Sequence, residues 1–447
     1  MVTARLKPYV DFNAVRALAT GPAPAAARAD YEEALRARLG ATRVFALSSG
    51  RAALLLGLKG LGVKPGSEVA IPALTCTAVP DAVLALGGVP ALVDVSPRHF
   101  GMEARSLKRL LSRGRTRAAV LAPLFGACPP EGEVHGQLAA YGVPWLEDAA
   151  QSFGASFGGR PAGGRGPLAV LSTNFDKSLT TGRGGALVVN DPAYLPEAEK
   201  LVTELPTQTD GAALTILQGL IISLRLFAGG RYGPFTSMEL GYRYAAAEGD
   251  AYDLASLLDG GADLAAHHAR AAAARLMAEP RPPRLARAWK WFFPRAAVPR
   301  LDEAARLAPS LAAVGTAHLA KLDEEGRRRR ELTRAWDEAF TEDAPVRGPA
   351  WGDEGDTPWP IRYPAYVRDY RLRPRLIEGL AAAGYETGPF VYPRPISGQF
   401  PYYKLSRTAA RSLRGAWRAA YGLLNLPLHD EITLTDVARM TDILRRG

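Results

Sequence analysis

The sequence predicts an α/β fold, in which a mostly parallel, helix-covered sheet is followed by a smaller C-terminal α+β domain. Between Val44 and Asp191, short apolar runs typical of buried strands alternate with helix-like segments. Residues 200–300 are helical in pattern and rich in Ala and Leu, and residues 357–447 return to mixed strand and helix patterns. The 447 residues, 47% of them hydrophobic, are enough for a large core and for more than one domain.

The elements of the predicted sheet follow one another in a regular order. An amphipathic helix is predicted over 26–40 and a second helix over Ala52–Gly60. Apolar runs bounded by turn residues predict the strands, at Glu68–Pro72, Pro90–Val95, Ala118–Pro123, Val143–Leu146 and Ala186–Val189. Ligands of such sheets gather at the carboxyl ends of the strands, so functional residues are expected there.

The second half of the chain predicts a division into two domains. From Arg306 to Arg330 the pattern is that of one long amphipathic helix, which ends in a run of basic residues. We therefore predict a large domain over 1–305, with a helical insertion at about 200–300, and a small C-terminal domain over 306–447.

Composition limits the classes of protein to which the chain can belong. Charged residues make up 22% of the sequence, as in ordinary globular proteins. The two cysteines, Cys76 and Cys128, cannot build a disulfide framework or a CxxC metal site, and they favour a reducing compartment. No metal site is predicted, and the N-terminus has no apolar segment of the kind found in secretory signals. The net charge of +10 reflects either a general preference for Arg or attraction to anionic partners, and charge alone does not decide between them.

The segment 145–185 brings ionisable and glycine residues to the ends of predicted strands. The residues are, in chain order, Glu147 and Asp148 after one strand, Gln151 one turn later, Ser172 after the next strand, Lys177, and the glycines at 182, 184 and 185. Each of them has an ordinary structural interpretation: a lone Lys is usually a solvated surface residue, and an Asp after a strand is usually a helix cap. Their combined order and spacing favour a functional site instead.

Chemistry that uses pyridoxal 5'-phosphate (PLP) requires this set of groups. A lysine amine must form an imine with the cofactor aldehyde, and Lys177 is placed for that role. A carboxylate must face the pyridine nitrogen and keep it protonated. Hydroxyl and backbone N–H groups must hold the phosphate, and the segment Ser48–Arg51 opens the helix Ala52–Gly60 as such a cradle.

With these motifs in place, the chain resembles the DegT/DnrJ/EryC1/StrS family of fold-type-I PLP enzymes over most of residues 30–200 and 306–447. The motifs that carry the resemblance are Ser49 to Leu54, Pro72 to Ala78, Gly87 to Val95, Glu147 to Gln151, Gly154-Ala155, Ser172 to Lys177, Gly182 to Gly185, and Leu426 to Leu428. So many matches in the same order make the resemblance specific.

The resemblance implies a role for each matched position. Lys177 would hold PLP as a Schiff base and shuttle the proton, and Asp148 would pair with the pyridine nitrogen. The other implied contacts are Gln151 with the ring hydroxyl, Ser172 and the backbone of Gly50 and Arg51 with the phosphate, and Asn174 with the substrate. Family sites are completed across a two-fold interface, which implies a homodimer.

The chain departs from the family pattern at four positions. Arg51 replaces the usual Thr, Cys76 replaces an aromatic residue that stacks on the cofactor ring, and Arg183 replaces an acid. The family's Gly-x-Asn-x-Arg motif, which reaches into the neighbouring subunit's site, is best matched where it ends at Arg306, with Ala304 in place of the Asn. The other location, at 241–245, lacks both the Asn and the Arg.

The predicted insertion has two distinctive stretches. Ala212–Phe227 is apolar but short and contains a charge, so a buried or dimer-interface helix is expected rather than a membrane span. Residues 281–300 have six basic residues, no acids and four large aromatics. This stretch is either a partly packed loop with solvated Arg or a surface for anionic lipid or a lipid-linked substrate. A nucleic-acid partner is not expected, because no stacking module or DNA-binding fold is visible.

The function that the resemblance implies is transfer of an amino group from an amino-acid donor, expected to be glutamate, to a keto group on a nucleotide-linked sugar. A dehydratase variant of the family has His in place of the lysine, and Lys177 argues against it. Two alternatives stay open: a PLP-fold sensor or membrane-associated protein without enzymatic activity, and an aminotransferase for a ketone that is not a sugar. The expected location is the cytoplasm, with peripheral binding at the inner membrane surface as a further option.

Overall fold

The computed structural model describes residues 10, 12–127, 129–228, 304–341, 343–353, 355–387, 394–398, 408 and 412–446. The predictions for 229–303, including the motif alternative at 241–245 and the basic–aromatic stretch 281–300, lie outside the described residues, as does Cys128.

A seven-stranded sheet forms the centre of the large domain, with the strand order β1-β9-β8-β5-β4-β2-β3. Its strands are β1 (Arg43–Leu47), β2 (Glu68–Pro72), β3 (Val89–Val93), β4 (Thr116–Leu121), β5 (Trp145–Asp148), β8 (Leu168–Ser172) and β9 (Gly185–Val189). Only β9 runs against its neighbours; the β2–β3, β2–β4, β4–β5 and β5–β8 pairs are parallel. The predicted mostly parallel sheet is therefore confirmed.

Helices cover both faces of this sheet, which explains why its strands are apolar throughout rather than alternating. The helices up to residue 228 are α1 (Phe12–Thr20), α2 (Ala27–Leu39), α3 (Gly50–Gly60), α4 (Ala78–Ala85), α5 (Ala104–Leu111), α6 (Gly132–Ala140), α7 (Leu195–Thr203) and α8 (Asp210–Ala228). One face packs on α3, α4 and α7, and the other on α2 and α8. A short hairpin, β6 (Ser156–Phe157) with β7 (Arg160–Pro161), follows β5.

The apolar run 212–227 lies in α8, where Ala213, Ile216, Leu217 and Leu220 are buried against the large domain's core. Leu214, on the opposite side, is 39% exposed. No helix in the described part of the chain is both long enough and apolar enough to cross a membrane.

The prediction of one continuous helix over 306–330 is wrong. The structure has two helices here, α9 (Pro309–Leu319) and α10 (Leu322–Ala339), which are separated at Ala320 and Lys321. They pack against different parts of the protein: α9 lies on α2 and α1, while the later residues of α10 enter the core of the C-terminal part. Two directions of packing require a break that the apolar periodicity does not reveal.

A second, three-stranded antiparallel sheet organises the C-terminal part. It consists of β10 (Val346–Arg347), β11 (Tyr363–Val367) and β12 (Leu423–Leu426), in that order. The helices α11 (Arg373–Ala382), α12 (Arg414–Gly422) and α13 (Leu434–Arg446) accompany it. Its core draws on residues from Leu332 onward, whereas α9 contributes to the large domain's core. The domain boundary at 306 stays a prediction. Within α10, the early residue Leu322 packs in the core of the large domain, and the residues from Leu332 onward pack in the C-terminal core.

Candidate active site

Several predicted site residues meet at one edge of the large sheet, where β1, β5, β8 and β2 end. Register fixes the arrangement: Leu47 of β1 and Ser172 of β8 both pair with Gly185 at the start of β9. Asp148, at the end of β5, is beside Val170 of β8. The carboxyl ends of parallel strands are the usual ligand edge of such a sheet.

A cradle of small residues lies between β8, β9 and the N-terminus of α3. Ser49 caps the helix, because its Oγ accepts a hydrogen bond from the Ala52 N–H at 3.1 Å. A Cβ added to Gly50 would lie 3.0 Å from the Cβ and 3.2 Å from the Oγ of Ser172. A Cβ at Gly185 would lie 2.5 Å from the backbone nitrogen of Gly50. Both glycines are therefore required for the helix end to approach the strand ends this closely.

Arg51 occupies the first turn of α3, directly after this cradle. Its Nε is buried and has no hydrogen-bond partner among the described residues. Cys76, which follows β2, has an exposed side chain. Partial desolvation by the surrounding protein raises the pKa of the Cys76 thiol, and the charges of Lys177 and Arg51 partly oppose that shift. The charges of these residues therefore act on one small region.

The two carboxylates at the end of β5 have different surroundings, because neighbouring strand residues point to opposite faces. Glu147 is fully buried and accepts from Arg165 Nε at 2.8 Å and from the Arg165 N–H at 3.0 Å. Arg165 also pairs with Glu131 at 2.9 Å. Glu147 is thus neutralised within the fold and is not available to a ligand at the site.

Asp148 faces the site and is 6% exposed. Its carboxylate accepts from the Ala150 N–H at 3.1 Å. Burial raises the pKa of Asp148 from its ordinary value to about 6, against the lowering effects of this hydrogen bond and of Lys177. A carboxylate held this way favours a positively charged partner, because such a partner would replace the water that it lacks.

Lys177 forms part of a cluster of charged side chains. Its Nζ lies 3.1 Å from Asp176 Oδ2, and the same oxygen lies 3.5 Å from a terminal nitrogen of Arg362. Asn174 donates to the other oxygen of Asp176 at 3.2 Å. Burial tends to raise the pKa of Asp176, but Lys177 and Arg362 outweigh it and hold that pKa below its usual value.

Gln151 lies one turn after Asp148 and is buried. Its Oε1 accepts from the N–H of Phe125 at 3.2 Å. Phe125 has a φ of 59°, in the left-handed region that bulky residues rarely adopt. The side chain of Gln151 therefore helps to hold an unusual turn at the edge of the site.

His318 of α9 supports the loop that follows Lys177. Its Nδ1 accepts from the N–H of Thr180 at 3.1 Å, so its Nε2 carries the proton and faces Glu325 at 3.2 Å. His318 is 2% exposed. This chain of contacts joins the lysine loop to both α9 and α10.

The family assignment follows from the extent of sequence similarity. Residues 18–204 and 270–445 match the DegT/DnrJ/EryC1/StrS aminotransferase family, and these residues make up most of the chain. The chain belongs to this family.

Individual members of the family match the chain over shorter stretches. The L-glutamine:scyllo-inosose aminotransferase of Streptomyces griseus is 35% identical over 177 residues, which are 40% of this chain and 40% of that protein. The UDP-2-acetamido-2-deoxy-3-oxo-D-glucuronate aminotransferase of Pseudomonas aeruginosa is 33% identical over 42% of this chain and 53% of its own length. The chain thus spans about half the length of the curated relatives that it matches.

Solved structures of the family share the fold of this chain. The crystal structure of S. venezuelae DesV superimposes with a TM-score of 0.69, covering 99% of this chain and 98% of DesV, at 21% sequence identity. This likeness establishes the fold-type-I architecture of the family for this chain.

The remaining predicted residues are less directly connected to the site. Arg306 runs beside β1, where its backbone N–H donates to Pro206 at 2.7 Å, and its charge lowers the pKa of Glu32, which burial raises. The Nε of Arg306 is buried and has no hydrogen-bond partner among the described residues. Ala304 is buried, and Arg183 is exposed.

Sequence reasoning missed Asp176, Arg362 and His318. Asp176 directly precedes Lys177, and its acidic character next to the key lysine was a usable signal. Arg362 and His318 are more than a hundred residues away in sequence, and only the packing of the C-terminal part brings them to the site.

Proposed function

We propose that the protein is a PLP-dependent aminotransferase that moves an amino group from an amino-acid donor to a keto sugar. The observation that carries the proposal is the meeting of Lys177, Asp148 and the Ser172–Gly50 cradle at one sheet edge in a chain of this family. An electron-sink cofactor needs an amine, a carboxylate and an anion cradle at once, and the site offers all three.

The residues fit PLP by size and charge. Gly50 and Gly185 bring the N-terminus of α3 close to Ser172 and the strand ends, because a side chain at either position would clash there. The first N–H groups of α3 have no acceptor in the helix backbone, as is typical of phosphate sites. Three cations, on Arg51, Lys177 and Arg362, outnumber the two carboxylates of Asp148 and Asp176, which favours an anionic ligand.

The protein's own groups would then divide the work. When bound, PLP supplies an aldehyde that bonds to an amine and a protonated ring that withdraws electrons. Lys177 Nζ would provide that amine and could hold or move a proton at the substrate carbon. Asp148, whose pKa of about 6 leaves it ionised at neutral pH, would face the ring nitrogen. Ser172 and the N-terminus of α3 would hold the phosphate, and Gln151 and Asn174 would line the remaining walls.

The expected substrates follow from the names of the relatives. One relative is named for L-glutamine as donor and another for a nucleotide-linked 3-oxo sugar. We infer that L-glutamine or L-glutamate donates the amino group and that a nucleotide-linked keto sugar receives it. A ketone that is not a sugar stays the alternative, because Cys76 and Arg51 change the lining of the site.

The visible spectrum of the full-length protein with PLP tests the proposal. The wild type should show a visible absorbance band, which should fall when L-glutamine or L-glutamate is added and return when a nucleotide-linked keto sugar follows. Borohydride reduction should leave a PLP mass on the peptide that contains Lys177.

A matched pair of lysine variants provides the control. Lys177→Ala should lose both the band and the covalent label, whereas Lys200→Ala, at an exposed position of α7, should retain both. A wild-type protein that takes up no PLP, or one whose label lies on another lysine, would overturn the proposal. A visible absorbance band that stays unchanged with every amino donor would instead favour a PLP-binding sensor.

We further infer that the protein acts as a homodimer in the cytoplasm. Arg306 would then serve the partner's site, and its Nε, buried without a partner among the described residues, would be available for that role. Light scattering of the purified protein should give twice the chain mass of 47.8 kDa.

A further inference from the structure

We propose that the guanidinium of Arg51 binds the phosphate of the cofactor as a second charged anchor beside the N-terminus of α3. This inference rests on the proposed function and assigns a task to a residue at which the chain departs from its family. The resemblance implies a phosphate contact for the backbone of Arg51, but it implies no role for the Arg51 side chain.

The position of Arg51 is the first support. It is the second residue of α3, directly after Gly50, whose Cα lies against Ser172. The charges of both Lys177 and Arg51 act on the Cys76 thiol, where they oppose the rise in pKa that desolvation causes. The Arg51 guanidinium is therefore within electrostatic range of residues that would surround the cofactor.

The absence of an internal partner is the second support. In the described part of the chain, Arg51 Nε is buried without a hydrogen-bond acceptor. The two carboxylates of the site are engaged elsewhere: Asp176 with Lys177 and Arg362, and Asp148 with the Ala150 N–H. An arginine stays charged at any ordinary pH, so a buried, unpaired guanidinium nitrogen is unfavourable until an anion arrives.

The neighbouring serine hydroxyls already have hydrogen-bond partners, so a further phosphate-binding group is useful here. Ser49 Oγ already caps α3, and Ser48 Oγ accepts from the Ala305 N–H at 3.2 Å. Ala304, buried on the adjoining segment, offers only a methyl group. Ser172 and Arg51 flank the N-terminus of α3, where a phosphate with nearly two negative charges would sit, and Thr75 Oγ1 is a further buried hydroxyl without a partner among the described residues. The planar guanidinium suits phosphate oxygens well.

Equilibrium binding to the cofactor-free protein tests the assignment. We would measure the affinity of wild type, Arg51→Gln, Arg51→Thr and the control Lys59→Gln for PLP, for pyridoxal without phosphate, and for inorganic phosphate. Lys59 lies in the last turn of the same helix, so its variant removes one positive charge away from the cradle. Fluorescence quenching or calorimetry reports binding without any need for turnover.

The expected result is specific to the phosphate group. Arg51→Gln and Arg51→Thr should bind PLP and inorganic phosphate about tenfold to a hundredfold more weakly, as for loss of one charged hydrogen bond. Their affinity for pyridoxal should equal that of the wild type, and Lys59→Gln should match the wild type for all three ligands. The melting temperatures of the unliganded variants show whether each is folded.

The outcomes separate this inference from the proposed function. Equal affinity of wild type and Arg51→Gln for PLP and phosphate, or a parallel loss for pyridoxal, would overturn the role of Arg51 while leaving the aminotransferase proposal intact. A wild type that binds no PLP at all would overturn both.

Discussion

At the scale of single residues, Glu147 and Asp148 show how one strand end separates a structural from a functional carboxylate. The pair is adjacent in sequence, yet Glu147 is paired with Arg165, while Asp148 has one backbone hydrogen bond and a pKa raised to about 6. The side chain that the fold leaves poorly compensated is the one that a cationic ring could satisfy. This difference has consequences for stability as well as for activity.

We predict that Asp148→Asn stabilises the cofactor-free protein at pH 8. The folded protein holds the Asp148 proton up to a pH of about 6, whereas the unfolded chain releases it near its ordinary value of 3.8. The stability due to this proton is therefore present below pH 3.8 and is lost as the pH rises to about 6. Above that, the buried charge costs on the order of 1–3 kcal/mol, which Asn avoids.

Thermal melts of both proteins between pH 4.5 and 8 measure this effect. The gain from Asn should be largest at pH 8 and shrink toward pH 4.5, while turnover with PLP falls about a hundredfold or more. Glu147→Gln is the control, since it leaves Arg165 buried without its main partner and should destabilise the protein across the whole range. A variant that is no more stable at pH 8 than the wild type would contradict the prediction.

At the scale of elements, the packing of α10 depends on a glycine that faces a tryptophan. A Cβ on Gly326 would overlap the indole ring of Trp359, and a Cβ on Gly154 would lie 2.5 Å from the same ring. Arg330, one turn later on α10, places its guanidinium 5.3 Å from the centre of the same ring. The helix thus holds Trp359, which is 3% exposed, against the large domain.

We predict opposite effects for two glycine-to-alanine substitutions in helices. Gly326→Ala should lower stability by about 1–3 kcal/mol, because Trp359 must shift from a close-packed position. Gly136→Ala in α6 has open space around the added methyl and should raise stability by about 0.5–1 kcal/mol. Melting temperatures of the two variants check this, and a rise in both would mean that Trp359 is not confined by α10.

The elements also show what the sequence could and could not predict. Gly66 and Pro72 bracket the strand Glu68–Pro72, and its predicted bounds agree with β2, because turn residues act locally. The break between α9 and α10 has no such marker: Ala320 and Lys321 are good helix formers. It reflects tertiary packing, which also brings Arg362 to Asp176, and no local pattern encodes either feature.

At the scale of the whole molecule, the positive charge is unevenly distributed along the chain. The net charge is +10, and the twenty residues 281–300 contribute six basic residues and no acid. This stretch lies outside the described residues, so its role rests on composition. Residues 104–118 also contain six basic residues and no acid, so what distinguishes 281–300 is the combination of this charge with four large aromatic residues.

We therefore predict that the protein binds vesicles that contain anionic lipid through 281–300. Each basic residue near an anionic surface contributes roughly 1 kcal/mol, and Trp289, Trp291, Phe292 and Phe293 can add burial at the interface. Co-sedimentation should require anionic lipid, decrease with salt, and weaken when Arg284, Arg287 and Lys290 are changed to Ser.

A matched triple variant at the exposed residues Arg109, Arg113 and Arg115 removes the same charge and should bind as the wild type does. Equal losses in both variants would assign the attraction to net charge alone, and no binding at low salt would mean that the basic stretch packs on the protein itself.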